Sequence, residues 1–234
     1  MIASLIVLFF SLVWVSSAGS QTSPIPFSQL APSDRQAAEE VIHAPTLSRR
    51  TGAVKFLSKK EVYEYLLDHP DLAAAAARAL KVGEYQITKI GDGSYWATDG
   101  SGVTGHFRVV YRSKNERIFF LDGAYHPGWL PSVPAKAIVA LGFEHKNHET
   151  EEYVENNVDA TLKINNSLVA FLAKLLYGIM GNLMEKRMNQ VLALAAGVSE
   201  KAYQDPDGFL RELATDTELS PQVLNELKEK LYPR

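Results

Sequence analysis

A chain of 234 residues, 46% hydrophobic and 22% charged, has an ordinary globular composition and enough length to bury a core of its own. Its formal net charge of −3 excludes a nucleic-acid binder built on a basic surface, which phosphate neutralisation would require. The lack of cysteine excludes disulfides, thiol nucleophiles and cysteine-ligated metals.

Ile2 to Val15 is an apolar block without charge, followed by the small residues Ser16-Ser17-Ala18-Gly19-Ser20. Residues 1–20 therefore read as a signal peptide cleaved after Ala18 or Ser20, delivering the protein to a periplasm or to the outside. A block of about 14 residues is short for crossing a bilayer core. Residues 21–56, interrupted by Pro24, Pro26, Pro32 and Pro45, read as a Pro/Ser-rich arm in which only Ser33 to His43 suits a helix. Residues 57–206 are expected to form the folded domain, and 207–234 a tail of short helices.

Ser58-Lys59-Lys60-Glu61 has the form of a capping box and opens a short helix with Val62, Tyr65 and Leu66 on one face. Asp68-His69-Pro70-Asp71 ends it and starts an alanine-rich second helix over Leu72 to Leu80. From Tyr85 the period changes to two. Tyr85–Ile90, Ser94–Asp99, Val103–Ser113, Arg117–Tyr125, Lys136–Lys146 and Glu152–Leu162 read as strands, the first four joined by tight turns. In the third, Val103, Phe107, Val109 and Tyr111 share one face, while His106, Arg108 and Arg112 share the other. In the fifth, Val139, Leu141 and Phe143 oppose Ala140, Gly142 and Glu144. The last strand is unusually polar, with Glu152, Glu155, Asn156, Asn157 and Asp159.

Asn165 to Ala196 then shows the apolar spacing of one long helix, with short helical turns expected at Val198-Ser199-Glu200, Asp205-Pro206 and Ser220-Pro221. The fold class is α+β: a curved antiparallel sheet of about six or seven strands gripping a long C-terminal helix, with two short helices at one end. Such a sheet leaves space against one helix. Phe107, Val109, Tyr111, Phe119, Leu121, Val139, Leu141 and Phe143 would line it from the strands. Leu176, Gly178, Met180, Gly181 and Met184 would line it from the helix. A helical glycine costs about 1 kcal/mol relative to alanine, so two of them indicate close packing or room for a ligand, and methionine adapts to varied shapes.

Among polar groups, His106, Arg108 and Glu155 are the candidate anchors, with Glu155 and His106 as an acid–base pair should they meet. His145-x-x-His148, beside Glu144, Glu149, Glu151 and Glu152, would hold a metal only if the chain turned at Asn147. Residues three apart on a strand face opposite ways, so a solvated charged hairpin is the better reading. The chain carries no nucleophile elbow, Gly-rich phosphate loop or HExxH motif, and no cofactor signature.

The ordering resembles the START-related (SRPBCC) superfamily of helix-grip proteins, which includes polyketide cyclase/dehydrase-like and lipid-transfer members. The resemblance covers about Leu57 to Pro206. It rests on the helix from Ser58 to Leu67 with the alanine-rich helix after it, and on Gly105-His106-Phe107-Arg108-Val109-Val110-Tyr111 and Arg117-Ile118-Phe119-Phe120 as successive strands. The final strand Glu152-Tyr153-Val154-Glu155-Asn156-Asn157-Val158-Asp159 and the long helix complete it. An opening strand is not evident, although Ala53-Val54-Lys55-Phe56 would supply a short one; without it a cone-shaped sheet like that of nuclear-transport-factor-like proteins competes. The connection from Tyr125 to Pro134 is unusually proline-rich. The resemblance implies an exported binder of a lipid or other hydrophobic small molecule held between sheet and helix. The loop from Ala124 to Pro131 would be its entrance, with transient membrane contact through exposed aromatics. A cyclase- or hydrolase-like enzyme using the acid–His pair, and an envelope adaptor with a solid core, are the competing readings.

Overall fold

The computed structural model describes residues 25–126, 132–165, 177–216 and 219–233. The signal-peptide segment 1–20, most of the proposed entrance loop and Leu176 lie outside the described residues.

The described strands form one antiparallel sheet. They are β1 (Leu47–Arg50), β2 (Val54–Leu57), β3 (Gln86–Gly91), β4 (Ser94–Thr98), β5 (Val103–Arg112), β6 (Glu116–Tyr125), β7 (Val133–His148) and β8 (Glu151–Ile164). The order is β1-β8-β7-β6-β5-β4-β3, with β2 also on β8. β1 and β2 act as a single opening strand interrupted at Thr51. There the Thr51 N–H donates to the Val158 carbonyl at 2.9 Å, and its hydroxyl accepts the Val158 N–H at 3.0 Å, so the kink leaves neither backbone group unpaired. The short strand anticipated at Ala53-Val54-Lys55-Phe56 is present.

Two features bend the long central strands. Gly105 on β5 faces Gly123 on β6 in register, and a Cβ on either would strike the other strand's backbone. A bulge between Val109 and Tyr111 adds twist. The bulge also corrects the face assignment: it carries Tyr111 to the opposite side from Phe107 and Val109, and brings Arg112 round to theirs.

Helix α1 (Pro32–His43) lies across the outer face of the sheet, with Ala38 and Val41 buried against Ile118, Phe120 and Ile138. The segment read as an arm is therefore structure: from residue 25 it supplies α1, β1 and β2. Its prolines suggested a loose chain, but Pro32 sits in the first turn of α1, where its missing N–H costs nothing. Helices α2 (Lys60–Asp68) and α3 (Pro70–Ala79) close one end of the inner face. The capping box is not formed: Ser58 is wholly buried, and the α2 backbone N–H of Lys60 is met at 3.4 Å by Glu152 of the last strand instead.

The long helix α4 runs from Tyr177 to Gln204, 28 residues or roughly 42 Å. It continues past Ala196 because Gly197 is tolerated within it, and stops where Asp205 caps α5 (Pro206–Leu213), accepting the Gly208 N–H at 2.9 Å. Helix α6 (Pro221–Leu231) follows. α5 and α6 pack on α2, α3 and the end of α4, burying Val62, Leu66, Leu72, Val198, Phe209 and Leu227 in a separate helical core.

Candidate functional site on the inner face

Helix α4 meets the sheet near both of its edges. At the β1 edge, Gly181 is buried beneath the Arg49 guanidinium, which occupies the space an added Cβ would need. Near the opposite edge, Arg187 donates to Asp99, at the end of β4, at 3.3 Å. Partial burial opposes ionisation of Asp99, but hydrogen bonds from Ser101 and Val103 and the Arg187 charge outweigh it and hold the carboxyl below its ordinary range. The helix thus spans a curved sheet rather than lying flat on one part of it.

Between those contacts the inner face is apolar. Registration places Phe107, Leu121 and Ala137 in one row across β5, β6 and β7, and Val109, Phe119 and Val139 in the next. Leu141 extends the wall toward β8. Phe107, Val109, Phe119, Leu121, Val139 and Leu141 are all only half-buried. Phe143, two residues further along β7, is 2% exposed and packs with Phe56, Tyr63 and Val154 under α2.

Beside that cluster lies an ion pair with its arginine buried and its carboxylate partly exposed. Arg117, 6% exposed, directs Nε and Nη2 to the Asp68 carboxylate at 2.9 and 3.2 Å, and its Nη1 to the carbonyls of Ser113 and Glu116. This fork ties the end of α2 to β6. Next to it, Tyr63 is 2% exposed and Asn156 wholly buried. Burial pushes the Tyr63 hydroxyl well above its ordinary range, so it stays protonated. His145 turns Nε2 toward Glu64 at 3.4 Å, and burial pulls its ring below the usual imidazole range despite that carboxylate.

The strand residues read as lining are therefore placed on the inner face, with Tyr111 the exception. On the helix, Gly181 serves close packing against Arg49 and is not open lining; Met184 is half-buried, and the surroundings of Gly178 and Met180 lie outside the described residues. The polar anchors need correction. His106, Arg108 and Glu155 all face outward. Arg108 donates to Asp34 of α1 at 2.7 Å and stacks over Phe120, Glu155 pairs with Lys146, and His106 is exposed opposite Asp122. His106 and Glu155 stand on β5 and β8 with two strands between them, so they form no acid–base pair. β7 runs straight through Asn147 and turns only after His148, where Glu149 adopts φ 55°, so His145 and His148 point to opposite faces.

Sequence reading missed Arg49, Tyr63 and Asn156. The signal for Asn156 was available: it keeps the inward phase of Val154, Val158 and Ala160 along β8, a polar residue where the alternation asks for an apolar one. Arg49 sat in a segment read as irregular, and no pattern there called for an inward face.

No family model matches the chain, and no curated protein matches it in sequence. Solved structures similar in fold include a conserved protein from Geobacillus kaustophilus, 13% identical, covering 66% of this chain and 97% of that one with a TM-score of 0.44. A truncated norcoclaurine synthase from Thalictrum flavum is 11% identical over 68% of this chain and 95% of its own, with a TM-score of 0.41. The di-domain ARO/CYC BexL from the BE-7585A biosynthetic pathway is 16% identical over 70% and 53%, with a TM-score of 0.39. The strand order and the helix that bridges the curved sheet decide the architecture. The fold is a helix grip. The α1 cover on the outer face and the α5–α6 pair on the helical end are built around that grip.

Proposed function

We propose that the protein is exported and carries a lipid or other hydrophobic small molecule between the inner face of the sheet and α4. One contrast carries the reading. On β6 and β7, the outward residues Ile118, Phe120 and Ile138 are 0%, 3% and 3% exposed beneath α1, whereas their neighbours Phe119, Leu121 and Val139, on the opposite, inner face, stay half-buried. A core packed to ordinary density would bury both sets alike. An apolar wall kept partly open is what a greasy ligand needs, since its own burial then supplies the missing contacts. Export rests on the apolar block Ile2–Val15 and the small residues after it.

Native mass spectrometry of gently purified protein, followed by organic extraction, tests the carrier reading. A hydrophobic compound released in stoichiometric amount is the expected result; bare protein with an empty extract would count against it. N-terminal sequencing of protein recovered from the exporting cell should begin at Gly19 or Gln21, and a chain beginning at Met1 would overturn export.

A further inference from the structure

Asn156 is 0% exposed and Tyr63 2%, yet the Asn156 Oδ1 and Nδ2 and the Tyr63 hydroxyl make no properly directed hydrogen bond among the described residues. The Asn156 side chain is near enough to the Tyr63 hydroxyl to be its hydrogen-bonding neighbour, but the two are not well aligned, and one such contact would still leave most of the amide's capacity unused. A buried primary amide offers two donors and an acceptor with two lone pairs, and native interiors rarely leave such groups unmatched. The pair stands on the inner face, Asn156 facing Phe143 across β8 and β7. Leu141 packs against the same cluster and leads directly to Val139 and the half-open apolar wall.

Resting on the carrier reading, we propose that Tyr63 and Asn156 anchor the polar end of the ligand, which is therefore an apolar body bearing an uncharged carbonyl or hydroxyl group. The neighbouring groups disfavour a charged end. Arg117, the cation beside Tyr63, already spends four of its N–H groups on Asp68, Ser113 and Glu116, so it offers an anion almost nothing. His145 turns Nε2 toward Glu64 at 3.4 Å without a well-directed hydrogen bond, and burial disfavours its charged form. A carboxylate or phosphate entering here would lose its hydration without gaining a cation. A carbonyl would accept from Tyr63 or the Asn156 amide, and a hydroxyl would also donate to Oδ1.

The test uses the full chain and uptake of diphenylhexatriene, a fluorophore without polar groups, displaced by naphthalene, 2-naphthol, 2-acetylnaphthalene or 2-naphthoate. The naphthol and the ketone should bind about tenfold tighter than naphthalene, the increment of one well-made buried hydrogen bond, and naphthoate should not. Tyr63→Phe and Asn156→Leu should each erase most of that preference while diphenylhexatriene uptake persists. Tyr63→Phe removes a single oxygen and decides the matter if Asn156→Leu does not fold. A preference unchanged in the variants would mean that the pair holds only an internal water, and a preference for naphthoate would refute the uncharged class; in both cases the carrier reading survives. No uptake of any probe by the unaltered protein would overturn both.

Discussion

Alternate residues of β6 and β7 meet two different covers. Toward α1, Ile118, Phe120 and Ile138 are sealed, and charge is kept at the margin: Asp34 accepts from Arg108, and Glu40 accepts from Lys136 and Lys163 at 2.8 and 2.9 Å. Toward α4, the cover rests near the sheet's edges, at Arg49 and Asp99, and leaves the central apolar side chains half-open. A short helix laid across a sheet fills its own footprint. A long helix bridging a curved sheet does not, and the difference separates a face that stabilises from one that binds.

The largest effect is expected where the inner face is fully packed. Phe143→Ala removes a ring in contact with Tyr63, His145 and Arg117 and should cost about 3–5 kcal/mol, read from the urea midpoint at constant m-value. A loss below about 1 kcal/mol would mean that the closed end of the grip is as loose as its middle.

Gly181→Leu comes next. Its side chain needs the space held by the Arg49 guanidinium, and overpacking of this kind should cost about 1–3 kcal/mol. Combined with Arg49→Ala, the penalty should shrink, a coupling that a double-mutant cycle would measure. Additive losses would show that the helix does not meet β1 at this point.

The pH dependence separates the faces further. Burial lowers the His145 pKa from the ordinary 6.5, with Glu64 opposing. The folded state thus binds a proton less readily than the unfolded chain, so stability is full above 6.5 and falls as pH drops below it. Unfolding midpoints from pH 7.5 down to 5.5 should show this fall, and His145→Gln should flatten it. On the outer face, hydrogen bonds from Lys136 and Lys163 lower the Glu40 pKa from 4.5, so its contribution is present above that value and lost as pH falls through the lowered one. Glu40→Gln should cost less than about 1 kcal/mol, because the cluster is partly exposed and screened, and should leave probe uptake untouched.

Much of this was legible in the sequence, and the exceptions have physical causes. Period-two alternation located β3 to β8 and the inward side of Phe107, Phe119, Val139 and Phe143, because a residue's face follows from strand parity alone. Parity fails where a residue is added, which is how the bulge after Val109 misled the reading of Tyr111 and Arg112. The turn residues gave the hairpins. What pairs with what over long range was not encoded locally: Thr51 completing β8, Glu152 capping α2, and α1 crossing the outer face all join residues far apart in the chain. For the same reason His106, Arg108 and Glu155 could be grouped as polar strand residues but not assigned a side. Once α1 is seen to claim the outer face for packing, those residues fall with it, and the polar groups on the inner face include Arg49, Arg112, Arg117, His145, Tyr63 and Asn156.

One matched pair of substitutions bears directly on the difference between the faces. Val139→Trp projects an indole into the half-open wall, and His106→Trp places the same group on exposed outer strand. Uptake of diphenylhexatriene and the thermal midpoint would be measured for both beside the unaltered chain. The account predicts that Val139→Trp folds and loses most of its uptake, while His106→Trp keeps both. Collapse of the Val139→Trp fold would mean that the space under α4 is already full, and uptake equal in the two variants would mean that the probe binds elsewhere; either result contradicts the account.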